Sequence, residues 1–188
     1  MVCDKKNTYL VNLISGPGAG KSCLAAALFV NFKIKGYSAE YVQEYAKNLV
    51  WDQDFDTLNN QFYVSKEQTK LFSRLQGIVD IIVTDGSILH GLCYNKINEY
   101  NTSNVEKTEK FIIENYNKFN NINIFINRNN IEYEQSGRIQ TLTEAKEIDT
   151  LLLNILNDHK IDYTIFDSNI NDFAHDIADH VLNIIKKK

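Results

Sequence analysis

Short apolar runs alternate along this chain with longer stretches whose apolar positions recur at helical spacing. The runs, such as Tyr9-Leu-Val-Asn-Leu-Ile14 and Ile81-Ile-Val-Thr84, predict strands at about 8–15, 38–43, 79–84, 122–126 and 161–166. Helical periodicity predicts helices at about 20–34, stopped near Gly36, then 44–50, a long helix at 57–76 ended by Gly77, and further helices at 105–119, 143–158 and 171–186. The segment at about 86–104 reads as a broken polar connection, and 127–141 as an irregular polar stretch. Strand alternating with helix implies parallel β-α-β units with right-handed crossovers, hence an α/β fold. One run fits less well. Ile122-Asn-Ile-Phe-Ile-Asn127 partly alternates, whereas a strand covered on both faces is continuously apolar. It predicts a thinly covered face or a boundary displaced by a residue or two.

Between the first strand and the first helix lie three of the eight glycines and the only proline, in Ser15-Gly-Pro-Gly-Ala-Gly-Lys-Ser22. A strand, a glycine loop ending in Lys-Ser and a helix form the phosphate-cradling P-loop in the context that confirms it. Loop amides and the positive end of the helix dipole bind a polyphosphate without a basic pocket. Gly16, Pro17, Gly18, Ala19, Gly20, Lys21, Ser22 and Cys23 are therefore the candidate ATP-binding residues. Lys21 is expected on the β- and γ-phosphates and the Ser22 hydroxyl on Mg²⁺. Ser15 stands where glycine is commoner, and a small residue still lets the strand turn.

A second acidic signal sharpens the chemistry. The strand at 79–84 delivers Asp85 at its C-terminal end, the Walker B arrangement, with the carboxylate in the metal shell. The next residue is Gly86, where motor-type ATPases place a glutamate that activates water. Its absence favours transfer to a bound acceptor over hydrolysis. Phosphoryl transfer also needs cations around the equatorial oxygens. Of only three arginines, Arg128 and Arg138 lie in the irregular stretch 127–141, which reads as a lid with Gly137 as a hinge.

After the second strand, Glu44 is placed to accept the proton of an attacking hydroxyl, with Lys47 one turn later to pin a phosphate or ribose. Trp51, the only tryptophan, fits either base stacking or packing. Lys66, Lys70 and Arg74 form a basic stripe that is either a solvated face or a track for a substrate phosphate or a nucleic-acid backbone. Gln61, Arg74 and His90 complete the candidate substrate-binding set, with Tyr94 near the same pocket.

Composition bounds the alternatives. The 188 residues suggest one domain spanning 1–188, with 44% hydrophobic and 23% charged residues as in ordinary globular chains. A net charge of −4 argues against a dedicated nucleic-acid binder. No apolar run suits a membrane span, and the start, Met1-Val-Cys-Asp-Lys-Lys-Asn7, is unlike a signal peptide. The expectation is a cytoplasmic protein without a membrane partner. Cys3, Cys23 and Cys93 lack metal-type spacing and read as buried, reduced thiols.

Ser15 through Ser22, Glu44-Tyr-Ala-Lys47, Val83-Thr-Asp-Gly-Ser87 and Arg128 through Gly137-Arg-Ile-Gln-Thr141 resemble the NadR-like P-loop kinases, notably their phage-type members. The similarity runs from about residue 8 to 166. It implies a P-loop NTPase fold, a five-stranded parallel sheet in the order 2-3-1-4-5 flanked by helices on both faces, with a lid. It also implies Mg-ATP as donor and a nucleoside-like hydroxyl as acceptor. By residue, it suggests Lys21 and Ser22 for phosphate and magnesium, Asp85 for the metal shell, Glu44 for the acceptor, and Arg128 and Arg138 for the lid. Two positions depart from the pattern: Lys47 stands where arginine is common, and Gly86 where larger or proline-containing variants occur. Related phage kinases phosphorylate a hydroxymethylated pyrimidine already in DNA, so three readings stand. They are a nucleoside or nucleotide kinase, a DNA kinase acting on 5-hydroxymethylpyrimidines, and a nucleotide-dependent ATPase or switch.

Overall fold

The computed structural model describes residues 6–128, 133, 140–167 and 173–187. The elements run β1 (Tyr9–Ile14), α1 (Lys21–Ile34), β2 (Ala39–Val42), α2 (Tyr45–Trp51), α3 (Phe55–Leu58), α4 (Gln61–Ser73), β3 (Ile81–Thr84), α5 (His90–Ile97), α6 (Val105–Tyr116), β4 (Asn120–Asn127), α7 (Leu142–Asp158), β5 (Thr164–Asp167) and α8 (Phe173–Lys187). The five strands form one parallel sheet in the order β2-β3-β1-β4-β5, as expected.

Alternation along β1 explains the layers. Val11 and Leu13 face one side and pack with Leu24, Leu28 and Phe32 of α1 and Ile177 and Val181 of α8. Leu10 and Ile14 face the other, against Phe72 of α4, Leu92 of α5, Ile112 of α6 and Leu152 of α7. Burying both faces makes β1 a central strand, and a strand so placed ends at a sheet edge where its loop can meet ligand.

The boundary of β4 is displaced by a residue or two, as expected, since the strand runs from Asn120 to Asn127, but its face is not thinly covered and the alternation within it has a further cause. Both faces are covered, and Asn123 is buried beside Ile122, Ile124 and Ile126. Its amide donates to the Tyr116 hydroxyl at 2.7 Å and to the Asp162 carbonyl at 2.8 Å. Asn12 of β1, fully buried, donates to the side-chain oxygens of Asn121 and Asn123 at 3.0 and 3.1 Å. Hydrogen-bonded amides occupy positions that an apolar strand would fill with Val or Ile.

Two helical expectations are corrected. The stretch 57–76 is not one helix: Asn60 breaks it, its side chain capping α4 through the Tyr63 amide at 3.0 Å, while Asp54 caps α3 through the Thr57 amide at 3.1 Å. The segment 86–104 is not wholly irregular, because α5 lies within it and buries Leu92 and Cys93 completely. No helix among the described residues is long and apolar enough to cross a membrane.

Candidate active site

The loop Ser15–Gly20 leaves β1 and enters α1 with Gly18 and Gly20 at φ of 76° and 81°, a left-handed backbone that glycine adopts without strain. Lys21 opens α1, and its ammonium donates back to the Ser15 and Gly16 carbonyls at 2.8 and 2.9 Å. Burial pulls the Lys21 pKa down, and the carboxylates of Glu44, Asp85 and Asp149 oppose that pull.

Asp85, at the end of β3, organises what lies beside the loop. It is 2% exposed, accepts the Ser22 hydroxyl proton at 2.5 Å through Oδ2, and accepts the Glu44 backbone N–H at 3.0 Å through Oδ1. One carboxylate thus joins the P-loop helix to the start of α2. Tyr41 stands beside it, and burial together with the Asp85 charge raises its pKa. Ser22 and Asp85 bring two hard oxygen donors together, a donor set suited to Mg²⁺ that keeps its remaining ligands as water and phosphate.

Glu44 caps α2 with its side chain free of any capping bond. Burial raises its pKa, with Lys21 opposing and Asp85 reinforcing the rise. Gly86 gains its reason here. A Cβ at that position would stand 2.5 Å from Glu44 Cα and 2.7 Å from Glu44 Cβ. At the residue after Asp85, Glu44 occupies the space a side chain would need.

These groups open into a cleft of about 1200 Å³. Of the expected site residues, Pro17, Gly18, Gly20, Lys21, Ser22, Cys23, Glu44, Lys47, Gln61, Asp85 and His90 line it, as do Trp51 and Tyr94. A smaller hollow of about 350 Å³ lies between Lys35 and Asp179, an ion pair at 2.6 Å, and no P-loop residue lines it. Two expectations are corrected. Arg74 is solvent-exposed and outside the cleft lining, because the face of α4 turned to the cleft carries Gln61, Val64, Ser65 and Gln68 instead. Cys23 is exposed rather than buried, whereas Cys93 is buried and its thiol is pushed up to about 12 by desolvation. Cys3, Gly137 and Arg138 lie outside the described residues, as does most of the expected lid.

Arg128 lies against the P-loop. Its Nη2 donates to the Pro17 carbonyl at 2.7 Å and its Nε to Asp149 Oδ2 at 3.0 Å. Asp149 Oδ1 in turn accepts the Gly16 N–H at 2.5 Å. Tyr133 closes over the same place. A Cβ on Gly18 would meet its ring at 2.5 Å, and the Arg128 guanidinium carbon sits 5.9 Å from the ring centroid. Sequence reasoning missed Asp149 and Tyr133. The signal for Asp149 was present: on α7 it falls within the stripe of Ala145, Ile148 and Leu152, a carboxylate on an otherwise apolar face.

Residues 10–172 match the family described as AAA domain. The chain belongs to that family. No curated protein matches it significantly. Among solved structures it is similar to deoxyadenosine kinase from M. mycoides, solved with the products dCMP and a flexible dCDP bound. The two are 16% identical, the TM-score is 0.56, and the match covers 95% of this chain and all of the other. At that identity the likeness is one of fold, a helix-flanked parallel sheet of the P-loop nucleotide-kinase kind.

Proposed function

We propose that this chain is an ATP-dependent phosphotransferase that moves the γ-phosphate of Mg-ATP to a hydroxyl of a nucleoside or nucleotide. The observation that carries the reading is the shared carboxylate of Asp85, which holds the Ser22 hydroxyl at 2.5 Å and the Glu44 backbone at 3.0 Å. That junction puts the metal-binding pair of a P-loop beside a second carboxylate facing the same cleft. The fold likeness to a deoxyadenosine kinase supports the same chemistry.

In this reading the loop amides from Gly18 to Ser22 bind the phosphates. Lys21 exchanges its bonds to Ser15 and Gly16 for phosphate oxygens and balances the charge that develops on transfer. Ser22 and Asp85 would hold Mg²⁺, which when bound neutralises phosphate charge and orients the leaving group. Glu44 takes the proton of the acceptor hydroxyl as the new O–P bond forms and the bond to the β-phosphate oxygen breaks, releasing ADP. Its raised pKa matches a base that must recover its proton affinity in a desolvated site. Arg128 supports the loop from the lid side, and Arg138 joins it in this proposal as a second lid cation.

The test is ADP production with Mg-ATP, alone and with a panel of nucleosides, nucleotides and duplex DNA containing 5-hydroxymethylpyrimidines. Acceptor-dependent ADP with a nucleoside or nucleotide supports the reading. ADP production that no acceptor changes contradicts it.

A further inference from the structure

The turn from β2 into α2 holds Glu44 by the backbone, and two side chains from other elements do the holding. Asp85 Oδ1 accepts the Glu44 N–H at 3.0 Å. The carbonyl before that amide and the N–H after Glu44 both go to one residue of α4. Gln68 Oε1 accepts the Tyr45 N–H at 2.7 Å, and Gln68 Nε2 donates to the Gln43 carbonyl at 3.3 Å. The partners fix which end of this amide is oxygen, because the reversed amide would set donor against donor and acceptor against acceptor. Gln68 is 4% exposed, so the bracket it makes around Glu44 is sheltered from competing water.

The local sequence does not supply this restraint. The first N–H groups of a helix have no partner within it, and a Ser, Thr, Asp or Asn at the N-cap ordinarily serves one of them. Glu44 stands at the N-cap of α2 and makes no such side-chain bond. The acceptor for the first amide of α2 comes instead from α4, and the Glu44 carboxylate is left to the cleft that Glu44 and Gln68 both line. Gly86 completes the seat, since a Cβ there would stand 2.5 Å from Glu44 Cα. Docking of the two helices has a support of its own: the Tyr45 and Tyr63 rings meet edge to face, with centroids 6.4 Å apart at 61°. Holding α2 on α4 and aiming Glu44 are therefore separable tasks. A glutamine on a cleft wall invites a reading as a substrate contact, but both ends of the Gln68 amide already hold backbone.

We propose that Gln68 is a positioning residue of the phosphotransfer site: its side-chain amide brackets the backbone on both sides of Glu44 and sets where that carboxylate stands in the cleft. This rests on the kinase reading above, in which Glu44 takes the acceptor proton. Gln68 itself touches neither donor nor acceptor and acts only through Glu44. A proton transfer tuned to the placement of one carboxylate is sensitive to small displacements, and the bracket removes the freedom to make them.

The test compares the wild type with Gln68→Met, Gln68→Asn, Glu44→Gln and the double variant Gln68→Met/Glu44→Gln. Methionine keeps the length of the side chain and removes both bonds, whereas asparagine keeps the amide and withdraws it by one methylene. Amide hydrogen exchange read by NMR tests the bracket without any turnover. Gln68→Met should speed exchange at Tyr45 about 10-fold or more, while the amides from Gly18 to Ser22 keep their protection and so show that the fold is intact. Label transfer from γ-³²P-ATP, to whichever acceptor the wild type uses, should fall about 10-fold in kcat with KM for ATP within about 2-fold. Gln68→Asn should change both readouts in the same direction. In the Glu44→Gln background, Gln68→Met should lower transfer by less than about 2-fold, because a residue that acts through Glu44 has nothing left to place. Unchanged exchange at Tyr45, a loss confined to KM, or an equal loss of transfer with and without the Glu44 carboxylate would each overturn the assignment. A wild type that transfers no label would overturn the kinase reading and leave the bracket to the exchange data alone: faster exchange at Tyr45 in Gln68→Met upholds it, and unchanged exchange overturns it.

Discussion

Asp149 accepts the Gly16 amide proton at 2.5 Å and the Arg128 Nε proton at 3.0 Å, so one carboxylate on α7 ties the P-loop to the arginine that follows β4. The pair is well shielded, with side chains 7% and 15% exposed for Arg128 and Asp149. Asp149→Ala leaves a buried guanidinium without its counter-charge. It should cost about 3 kcal/mol, a fall in Tm of roughly 6–12 °C for a chain of this size. It should weaken ATP binding as well, whereas Asp149→Asn, which keeps an acceptor for Gly16, should cost less. Thermal melts and ATP titrations of the two variants check this. Equal and negligible losses would remove Asp149 from the support of the loop.

Gly86 and Glu44 are coupled by space. A methyl group at residue 86 would meet Glu44 Cα at 2.5 Å, and backbone cannot yield as a side-chain tip would. Gly86→Ala should therefore displace Glu44 from the cleft and lower the transfer rate about 10- to 100-fold. ATP affinity should stay near that of the wild type, since the P-loop is untouched. Steady-state kinetics separate the two effects.

Glu44 sets a pH dependence of known sign. Its pKa in the folded protein is raised by burial, so the ionised form that the proposed mechanism requires appears only above the usual carboxylate range. Turnover should rise with pH through that shifted pKa. Glu44→Gln should abolish the limb and reduce transfer at least about 100-fold. A raised pKa contributes stability below the unfolded value and loses it as pH rises through the folded value. Glu44→Gln should accordingly be more stable than the wild type at neutral pH, measured by thermal melts across pH.

His90 has the opposite sign. Its pKa falls from the ordinary 6.5 to about 3 in the folded protein. A depressed value contributes stability above 6.5 that is lost progressively as pH falls toward 3. His90→Asn should flatten the acid side of the stability profile relative to the wild type, while the carboxylate contributions common to both cancel in the difference. Parallel profiles would show that His90 ionises freely in the native state.

The parts of this fold legible in the sequence are those set by neighbours along the chain. The P-loop needs consecutive glycines followed by Lys21 and Ser22, and the sheet needs apolar runs, so both could be read directly. The clamp on that loop could not, because Asp149 meets Gly16 across 133 residues of sequence. The bracket that Gln68 makes around Glu44 was hidden for a related reason. The buried face of α4 includes Gln61, Ser65, Gln68 and Thr69, and a polar stripe on a helix reads as the solvent side unless its neighbours are known. Arg74, prominent in the sequence as one of three arginines, is exposed to solvent outside the cleft. α5 escaped detection because Gly91 and Asn95 weaken helical propensity, and only tertiary burial of Leu92 and Cys93 holds the segment helical. The caps Asp54, Asn60 and Thr141, the last in a capping box with Glu144, were local signals that would have placed three helix starts.

The central claim is that the Ser22–Asp85–Glu44 junction transfers phosphate to an acceptor rather than to water. Label transfer from γ-³²P-ATP with Mg²⁺, wild type beside Lys21→Ala, tests it most directly. Label on a nucleoside or nucleotide, reduced about 100-fold or more in Lys21→Ala, is the result expected. Label found only in free phosphate, or transfer indifferent to Lys21, would contradict it.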